Sequence, residues 1–422
     1  MSWRTLRVGA ACLLSFLPVA RALGQGTIGS CEPVLDSAGT GRRIVRGPGR
    51  IHFYGSGGVL FHCEGQATVV SADSGAWYTD LDRLDFVGNV VFEDDTVTLT
   101  ARRARYYPDL ETIEASDEVR LVNRETGSEL AGPNLVYRRA VEGVRDTSEL
   151  VATGHPRIEY RSAEDTSASP YVILPQHVVL RGERLAWAGG GVTVEREDFV
   201  AHGDSATLDF EKGEGLLIGN AVAEATDTMG YRISGLRLAY RLTDERLTWV
   251  QSQGRAEATS AEWRVVGDTI EFDVANDLIQ SGRVWGDSSR ATAKSRYYSV
   301  AADSLALDAP DQRLEEVRGF FNAYATRRDS TVDVNDWMGG DTVVARFGPG
   351  EGDVRALELL EARGNALAYY HIFEEDNRSG LPAINYSRGA RIVALFKDDE
   401  LDRVDVVGAA DGVYLEPKVR RP

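Results

Sequence analysis

The amino-acid sequence predicts an all-β protein built from about ten degenerate copies of one strand–turn–strand unit. Three observations support this: apolar residues alternate with polar ones in short runs, glycine and asparagine recur at fixed places, and one short phrase returns along the chain. Alternation with period two places successive side chains on opposite faces of a strand. Helical patterns are scarce. The best one, residues 357–363, occupies a slot where other copies carry a strand, so we predict a strand there too.

The recurring phrase is a small residue that is often followed by Asp, as in Ala72-Asp73 and Gly340-Asp341. We expect each copy to begin a strand. Six of the nine intervals between copies span 29 to 38 residues, a spacing typical of a stacked array. The ten copies begin at Ala72, Ala101, Gly132, Gly182, Gly203, Gly235, Gly267, Ala302, Gly340 and Gly389.

Within a copy, residues 269–274 alternate cleanly, with Ile270 and Phe272 on one face. A polar turn and a second apolar run follow, and that run commonly ends in Gly-Asn. Both residue types tolerate a positive φ, so we predict a bulge or tight corner at each pair. The pairs are Gly88-Asn89, Gly219-Asn220 and Gly364-Asn365. Short strands with such turn signals indicate an antiparallel or solenoidal architecture.

The first 22 residues resemble an export signal. Two arginines precede an apolar run at residues 8–19, and Ala20-Arg21-Ala22 offers a cleavage site. About a dozen apolar residues are too few to span a bilayer, which needs ~20. We therefore predict a cleavable signal peptide over residues 1–22. The alternative is a lipoprotein signal that ends at Cys31, although Arg21 and several glycines separate that cysteine from the apolar run.

Composition divides the remainder of the chain. Residues 23–50 are rich in glycine and serine and are predicted to be a flexible leader. Residues 51–161 form the first β part and residues 171–422 the second, which can be continuous with the first. A polar insertion at residues 162–170 marks the possible boundary.

Charge and cysteine content restrict the function. The net charge is −18, and it becomes more negative once the three arginines of the signal are removed, which argues against nucleic-acid binding. Cys31 and Cys63 remain after export, and an even pair in an exported chain predicts a disulfide.

Motifs for enzymatic chemistry are missing from the sequence. It contains no G-x-S-x-G, Walker A or H-E-x-x-H pattern, so we expect no catalytic residue, cofactor or metal. His52, His62 and Cys63 are three candidate zinc ligands, but a fourth ligand is missing.

One basic cluster allows two interpretations. Arg102, Arg103 and Arg105 are suited to lipid phosphates. Alternatively, they lie on a solvent-exposed strand face, and their charge is balanced by Glu93, Asp94 and Asp95.

Two stretches of the chain resemble the OstA-like family: Ala72–Tyr78 (ADSGAWY) with Leu84–Phe92 (LDFVGNVVF), and Gly203–Leu208 with Gly219–Val222. This family includes the lipopolysaccharide-transport proteins LptA and LptC and the N-terminal domain of LptD. The resemblance covers residues 55–420 as degenerate copies and is best over 63–125 and 200–320. It implies a twisted β-jellyroll, in which two facing antiparallel sheets form an open V around an apolar trough.

The resemblance also implies a function. The chain is expected to be a periplasmic scaffold, not an enzyme, that holds acyl chains of lipopolysaccharide or a related lipid and passes it toward the outer membrane. Its expected partners are the lipid and other transport proteins, joined by edge-to-edge strand pairing, and these proteins can associate it with the inner or outer membrane. The predicted trough floor comprises Phe92, Leu99, Tyr106, Leu121, Leu208, Phe210, Val222, Tyr240, Trp249, Ile270, Phe272 and Leu307.

Other interpretations remain open. The floor residues can be the ordinary core of a closed sandwich, because alternate apolar positions on strands are usually core. The chain can be a structural or adhesive surface protein. A polysaccharide-acting enzyme with a parallel β-helix would share the repetition and the acidic charge, although its coils are usually shorter than 32 residues.

Overall fold

A computed structural model describes most of the chain from residue 31 onward. The predicted signal peptide and Phe210 lie outside the described residues. These residues are 31–141, 143–161, 169–182, 184–197, 199–209, 211–225, 231–243, 246–276, 278–286, 289–329, 334–350, 355–372, 381–397 and 400–417.

The described residues form strands almost throughout, and the all-β prediction is confirmed. The strands are β1 Pro33–Gly47, β2 Arg50–Cys63, β3 Val69–Tyr78, β4 Arg83–Glu93, β5 Val97–Tyr107, β6 Thr112–Asn123, β7 Glu129–Arg138, β8 Glu149–Thr153, β9 Arg157–Tyr160, β10 Tyr171–Leu174, β11 His177–Arg181, β12 Leu185–Arg196, β13 Phe199–Asp209, β14 Glu214–Ala225, β15 Arg232–Thr243, β16 Arg246–Thr259, β17 Arg264–Ala275, β18 Leu278–Trp285, β19 Ala291–Lys294, β20 Tyr298–Ala302, β21 Ser304–Asp308, β22 Glu316–Asp329, β23 Val334–Pro349, β24 Arg355–Ile372, β25 Ala383–Lys397, β26 Glu400–Val407 and β27 Asp411–Leu415.

Helical structure within the described ranges is limited to two 3-10 turns, Pro108–Leu110 and Pro310–Gln312. Residues 357–363, the best helix candidate of the sequence, lie in β24, as predicted. Nowhere in the described part of the chain is there a helix with the length and apolar character needed to cross a membrane.

The strands group into two compact units. The first unit falls within Leu13–Gly219 and Leu242–Glu245, and the second within Asn220–Arg241 and Arg246–Pro422. The polar insertion at 162–170, the possible boundary in the sequence, lies inside the range of the first unit, and its residues 162–168 are outside the described part.

A corner interrupts most long strands near their middle. Val87 of β4 pairs with Arg103 of β5 and Val90 pairs with Ala101, so Gly88 and Asn89 together lie opposite Arg102. The φ angles of Gly88 and Asn89 are +80° and +43°. The other two predicted Gly-Asn pairs also have positive φ at both residues, which confirms the prediction. The same two-against-one register recurs at Asp117-Glu118, Gly190-Gly191, Gly254-Arg255, Phe321-Asn322 and Gly364-Asn365.

The small-residue phrases lie at these corners and not at strand starts, which corrects the expectation from the sequence. Ala72 is buried in the middle of β3 and Asp73 is exposed. Eight of the ten copies lie inside strands, whereas Gly182 follows β11 and Ala302 ends β20. The physical reason is the limited space at the bend: Ala72, Ala101 and Gly267 are buried there, whereas Asp73, Asp204 and Asp341 are exposed.

Residues 33–47 differ from the predicted flexible leader, because they form β1 and pair antiparallel with β2. Backbone hydrogen bonding requires no apolar side chains, so composition alone did not reveal this strand. A disulfide joins Cys31 to Cys63, with the two Cα atoms 5.1 Å apart. The disulfide ties the start of β1 to the end of β2.

Candidate functional site

The corners of the first unit divide its strands into arms, and the arms pair into two separate ladders. Ladder A contains the arms 59–63, 69–72, 90–93, 97–101, 119–123, 129–132, 157–160, 171–174, 192–196 and 199–203. Ladder B contains the arms 50–56, 74–78, 83–87, 103–107, 112–116, 134–138, 149–153, 177–181, 185–189 and 205–209. Strand β1 contributes residues to the edge of both ladders.

An unbroken row of apolar side chains crosses ladder A. Each member is the direct cross-strand partner of the next, and none is more than 7% exposed. Direct partners lie on the same face of a sheet and pack against each other. The row is Phe61, Val70, Phe92, Leu99, Leu121, Leu130, Ile158, Ile173, Val194 and Ala201.

A second row crosses ladder B in the same way. It is buried from Leu84 onward, whereas its first two members, Phe53 and Trp77, are only partly buried. The row is Phe53, Trp77, Leu84, Tyr106, Ile113, Tyr137, Leu150, Leu180, Ala186 and Leu208.

Side chains of the two ladders touch. The rings of Phe92 and Tyr106 have centroids 6.3 Å apart, and those of Phe61 and Phe86 are 5.5 Å apart. Such aromatic pairs contribute about 0.5–1.5 kcal/mol beyond the area that they bury. The inner faces of ladders A and B are therefore directed at each other and are in contact at these strands.

A buried polar group, the tip cluster, joins the ends of the two ladders far from the corners. It consists of Gln66, Thr68, Tyr106, Glu111 and Arg139. The Arg139 guanidinium donates to Thr68 Oγ1 at 2.7 Å and lies 3.4 Å from Glu111 Oε2. The Tyr106 hydroxyl donates to the same carboxylate at 2.8 Å, and Gln66 donates to its other oxygen at 3.1 Å.

Thr68 and Glu111 are the almost fully buried members of the tip cluster. Burial, followed by the charge of Glu111, raises the pKa of the Tyr106 hydroxyl well above its usual range. Tyr106 therefore stays neutral and serves as a donor. Breaking this network would leave a buried carboxylate without its partners, which is costly.

The second unit has the same design of two ladders. Ladder C contains the arms 264–267, 291–294, 298–302, 323–329, 334–340, 366–372, 383–389 and 411–415. Ladder D contains the arms 249–253, 269–275, 278–285, 304–308, 316–320, 342–349, 355–363, 391–397 and 400–407.

The inner rows of the second unit differ in size. The row of ladder C consists mostly of small residues: Val265, Ala293, Val300, Ala325, Met338, Ala368 and Ser387. The row of ladder D is bulkier: Val250, Phe272, Gly282, Leu307, Val317, Ala345, Leu360 and Ala394. At the arm ends, Phe347 of ladder D contacts Trp263 and Tyr298 on the ladder C side, with ring centroids 5.0 and 6.1 Å apart.

The structure brings most predicted floor residues into these rows. Phe92, Leu99 and Leu121 lie in the row of ladder A, Tyr106 and Leu208 in that of ladder B, and Phe272 and Leu307 in that of ladder D. Ile270 occupies the adjacent inner position of ladder D, and Tyr240 is buried in β15. Val222 and Trp249 are only partly buried, because Ala221 and Ala223, and Leu247 and Val250, take the buried positions beside them.

Sequence reasoning missed several row members, including Ile113, Tyr137 and Leu150. Their alternation was visible, but their membership in one row depends on register. Phe53 and Trp77 were missed because the register between β2 and β3 shifts at the first corner, between Ser56 and Val59.

The arginine cluster of β5 is paired, but with different acids from those expected. Arg102 lies 2.8 Å from Glu118, Arg103 pairs with Asp117, and Arg105 lies 3.8 Å from Asp85. The register shift places residues 102 and 103 beside residues 117 and 118. Asp94, one of the expected partners, instead accepts the backbone N–H groups of Thr96 and Val97.

The candidate zinc ligands do not converge. His52 lies 3.0 Å from Asp80, His62 lies 2.8 Å from Asp36, and Cys63 is in the disulfide. Within the described ranges no group of three or more His, Cys, Asp or Glu side chains is placed to hold a metal ion.

The chain matches no known family model and no curated protein.

Proposed function

We propose that this chain is an exported periplasmic scaffold that binds acyl chains of lipopolysaccharide, or of a related lipid, and passes the lipid toward the outer membrane. In this proposal the ladders of each unit are the two sheets of a twisted OstA-like jellyroll, and the corner phrases are its degenerate repeats. The observation that carries it is the unbroken apolar row of ladder A, which crosses ten arms from one end of the unit to the other.

The row is physically suited to a lipid tail. Each CH₂ group removed from water contributes about 0.8 kcal/mol, so a single acyl chain is held firmly. Because neighbouring positions along the row are all aliphatic or aromatic, a tail can move between sites of similar free energy. Direction would then come from a partner protein.

Loading requires the arms to separate, because the facing rows touch. We propose that they part at the ends remote from the corners. In the first unit this opening breaks the tip cluster around Glu111 and Arg139, and in the second it separates Phe347 from Trp263 and Tyr298. The corners stay in place, and the arms of the two ladders rotate apart about them.

Strand edges supply the proposed contacts with other transport proteins. Among the described strands, β1 pairs only with β2, and β26 and β27 pair only with β25. Unpaired edges present N–H and C=O groups that accept a further strand. Val413, Tyr414 and Leu415 of β27 are more than half exposed, which favours coverage by a partner.

A structural or adhesive surface protein is the second candidate. The contact between facing rows favours it, since a closed core needs no cargo. A β-helix enzyme has less support, because every pairing among the described strands is antiparallel, whereas a β-helix stacks parallel coils.

Photo-crosslinking in cells tests the proposal. A photoreactive residue at Phe92 or Phe272 is expected to label an acylated lipid, because both side chains lie in inner rows. The matched controls are Val91 and Glu271, their neighbours on the opposite strand face. Labelling of lipid from neither inner position, or equally from inner and outer positions, would rule out the trough and leave the structural candidate.

A further inference from the structure

The outer face of ladder D carries a group of arginines on its five C-terminal strands, β22 to β26. Side chains next to the inner row point outward, because successive residues of a strand lie on opposite faces. The three outward rows are Glu316, Arg346, Leu359, Leu395 and Arg403; Arg318, Val344, Glu361, Val393 and Asp405; and Phe320, Thr342, Arg363, Arg391 and Val407. The five arginines, here called the arginine face, each have a side chain that is more than half exposed.

Two buried carboxylates hold four of these arginines in place. Glu316 accepts hydrogen bonds from Arg318 and Arg346, and Glu361 accepts them from Arg363 and Arg391. Although both acids are on the outer face, Glu316 is only 8% exposed and Glu361 only 2%. One carboxylate cannot neutralise two guanidinium groups.

The arginine face is therefore positive. Its five arginines share the three rows with only three acids, Glu316, Glu361 and Asp405, which leaves an excess of two positive charges. The chain as a whole has a net charge of −18. A local excess of cations on such a chain favours an anionic partner, because opposite charges across an interface guide the partner to it.

Three of the arginines also have unused donors. Arg318, Arg346 and Arg391 each donate through Nε, and their terminal Nη groups form no hydrogen bond with any residue that the structure describes. Arg120 differs, because it donates through both Nε and Nη2 to Glu129, at 2.6 and 2.7 Å. Since the buried carboxylates already fix the guanidinium groups, a further acceptor would bind at a small cost in side-chain entropy.

Aliphatic side chains lie between the arginines. Leu359 and Leu395 are partly exposed and Val407 is 53% exposed. Arginine combined with apolar side chains is typical of protein–protein interfaces, and arginine clusters recognise acidic segments of proteins. A polypeptide supplies both carboxylates and apolar groups, so this composition favours a protein partner over an acidic glycan.

We propose that the arginine face binds an acidic segment of a partner protein. Carboxylates of the segment accept from the unused Nη groups, and the guanidinium fork suits this geometry. From Arg318 in β22 to Arg403 in β26 there are four strand spacings, about 19 Å at ~4.8 Å each, which an extended segment of about six residues spans. The inference does not depend on the proposed lipid trough, because the arginines are on the opposite face of the sheet from the inner row.

The test measures binding of three probes to the full mature chain: a capped peptide of about 12 residues with alternating Glu and Ser, its counterpart with Gln in place of Glu, and polygalacturonate. The glutamate peptide is expected to bind about 10-fold or more tightly than the glutamine peptide. The triple variant R346Q, R391Q and R403Q should weaken the glutamate peptide by about 10-fold or more. In this variant Arg318 still pairs with Glu316 and Arg363 with Glu361, so neither buried carboxylate loses both partners, and urea denaturation checks that the variant is folded.

The matched control is the triple variant R120Q, R157Q and R264Q, which removes the same charge from arginines that each pair with one acid. It should leave the affinity for the glutamate peptide unchanged. Equal losses in the two triple variants would overturn the inference, because the effect would then reflect net charge alone. Equal affinities for the two peptides, or no binding of the glutamate peptide at about 1 mM, would overturn it as well. Tighter binding of polygalacturonate than of the glutamate peptide would assign the arginine face to an acidic glycan instead. None of these results alters the lipid labelling expected from Phe92 and Phe272, so the proposed function is tested separately.

Discussion

The side-chain amide of Asn89 donates to both carboxylate oxygens of Asp73, at 3.2 and 2.9 Å, across the corner between β3 and β4. The same carboxylate fills the space beside Gly88, where an added Cβ would lie 2.3 Å from Asp73 Oδ2. Asn365 and Asp341 repeat the arrangement, with both distances at 3.2 Å. The small-residue–Asp phrase and the Gly-Asn pair, far apart in sequence, are thus two halves of one corner.

The substitution Gly88→Ala tests whether the corner requires a glycine at this position. Its backbone has φ of +80°, and the new methyl group would also meet Asp73, so we expect a loss of more than ~2 kcal/mol in the free energy of unfolding. Gly49→Ala, at φ +73° with open space around it, should lose only the backbone contribution of about 1–2 kcal/mol. Gly47→Ala has neither problem and should change little. Urea denaturation gives all three values, and equal losses at Gly88 and Gly47 would contradict the assignment.

The contacts within the tip cluster predict that two substitutions will have non-additive effects on the free energy of unfolding. Arg139→Met leaves the buried Glu111 carboxylate without its cation and should cost about 3–5 kcal/mol. Adding Glu111→Leu removes the stranded charge and should recover part of that loss. The free energies of the two single variants and the double variant form the measurement. Simple addition of the two single losses would show that the residues are not coupled.

The environment of Glu361 predicts that the free energy of unfolding depends on pH. Its carboxylate is buried, accepts two hydrogen bonds from Arg363 at 2.8 Å, and pairs with Arg391. The hydrogen bond from Arg363 lowers its pKa from the ordinary value, against the opposing effect of burial. The unfolded chain therefore binds this proton first as pH falls, so the stabilisation is complete above about pH 5 and is lost as pH drops toward the lowered pKa.

Denaturation of the native chain and Glu361→Gln between pH 3 and pH 7 checks this expectation. The difference in unfolding free energy between them should be largest near neutral pH and shrink on acidification. A difference that stays constant with pH would contradict the assignment.

The Cys31–Cys63 disulfide closes a segment with a sequence separation of 32 residues. The loop-entropy relation for such a closure gives about 3–4 kcal/mol, so Cys31→Ser with Cys63→Ser should lower the unfolding free energy by that amount. Protease sensitivity should rise first in β1, which is otherwise held by its pairing with β2. Reduction of the native chain should reproduce both effects, whereas unchanged proteolysis would mean that strand pairing alone holds β1.

Local patterns allowed part of the site to be predicted. The alternation around Ile270 and Phe272 predicted their burial, because period two depends only on the geometry of one strand. Val222 and Trp249 were misplaced because an alternating run does not reveal which of its two faces is covered. Strand β1 was overlooked for a related reason, since its pairing with β2 uses backbone groups and not apolar side chains.

By itself, the sequence determined that the chain is all-β and that Gly-Asn pairs mark positions of positive φ. These properties follow from local sterics and side-chain period. Only the tertiary structure decided that the phrases lie at mid-strand corners, that Phe92 and Tyr106 face each other, and that Arg139 reaches Glu111 and Thr68. Each of these depends on register between distant segments, and a shift of a single residue would reverse which side chains point inward.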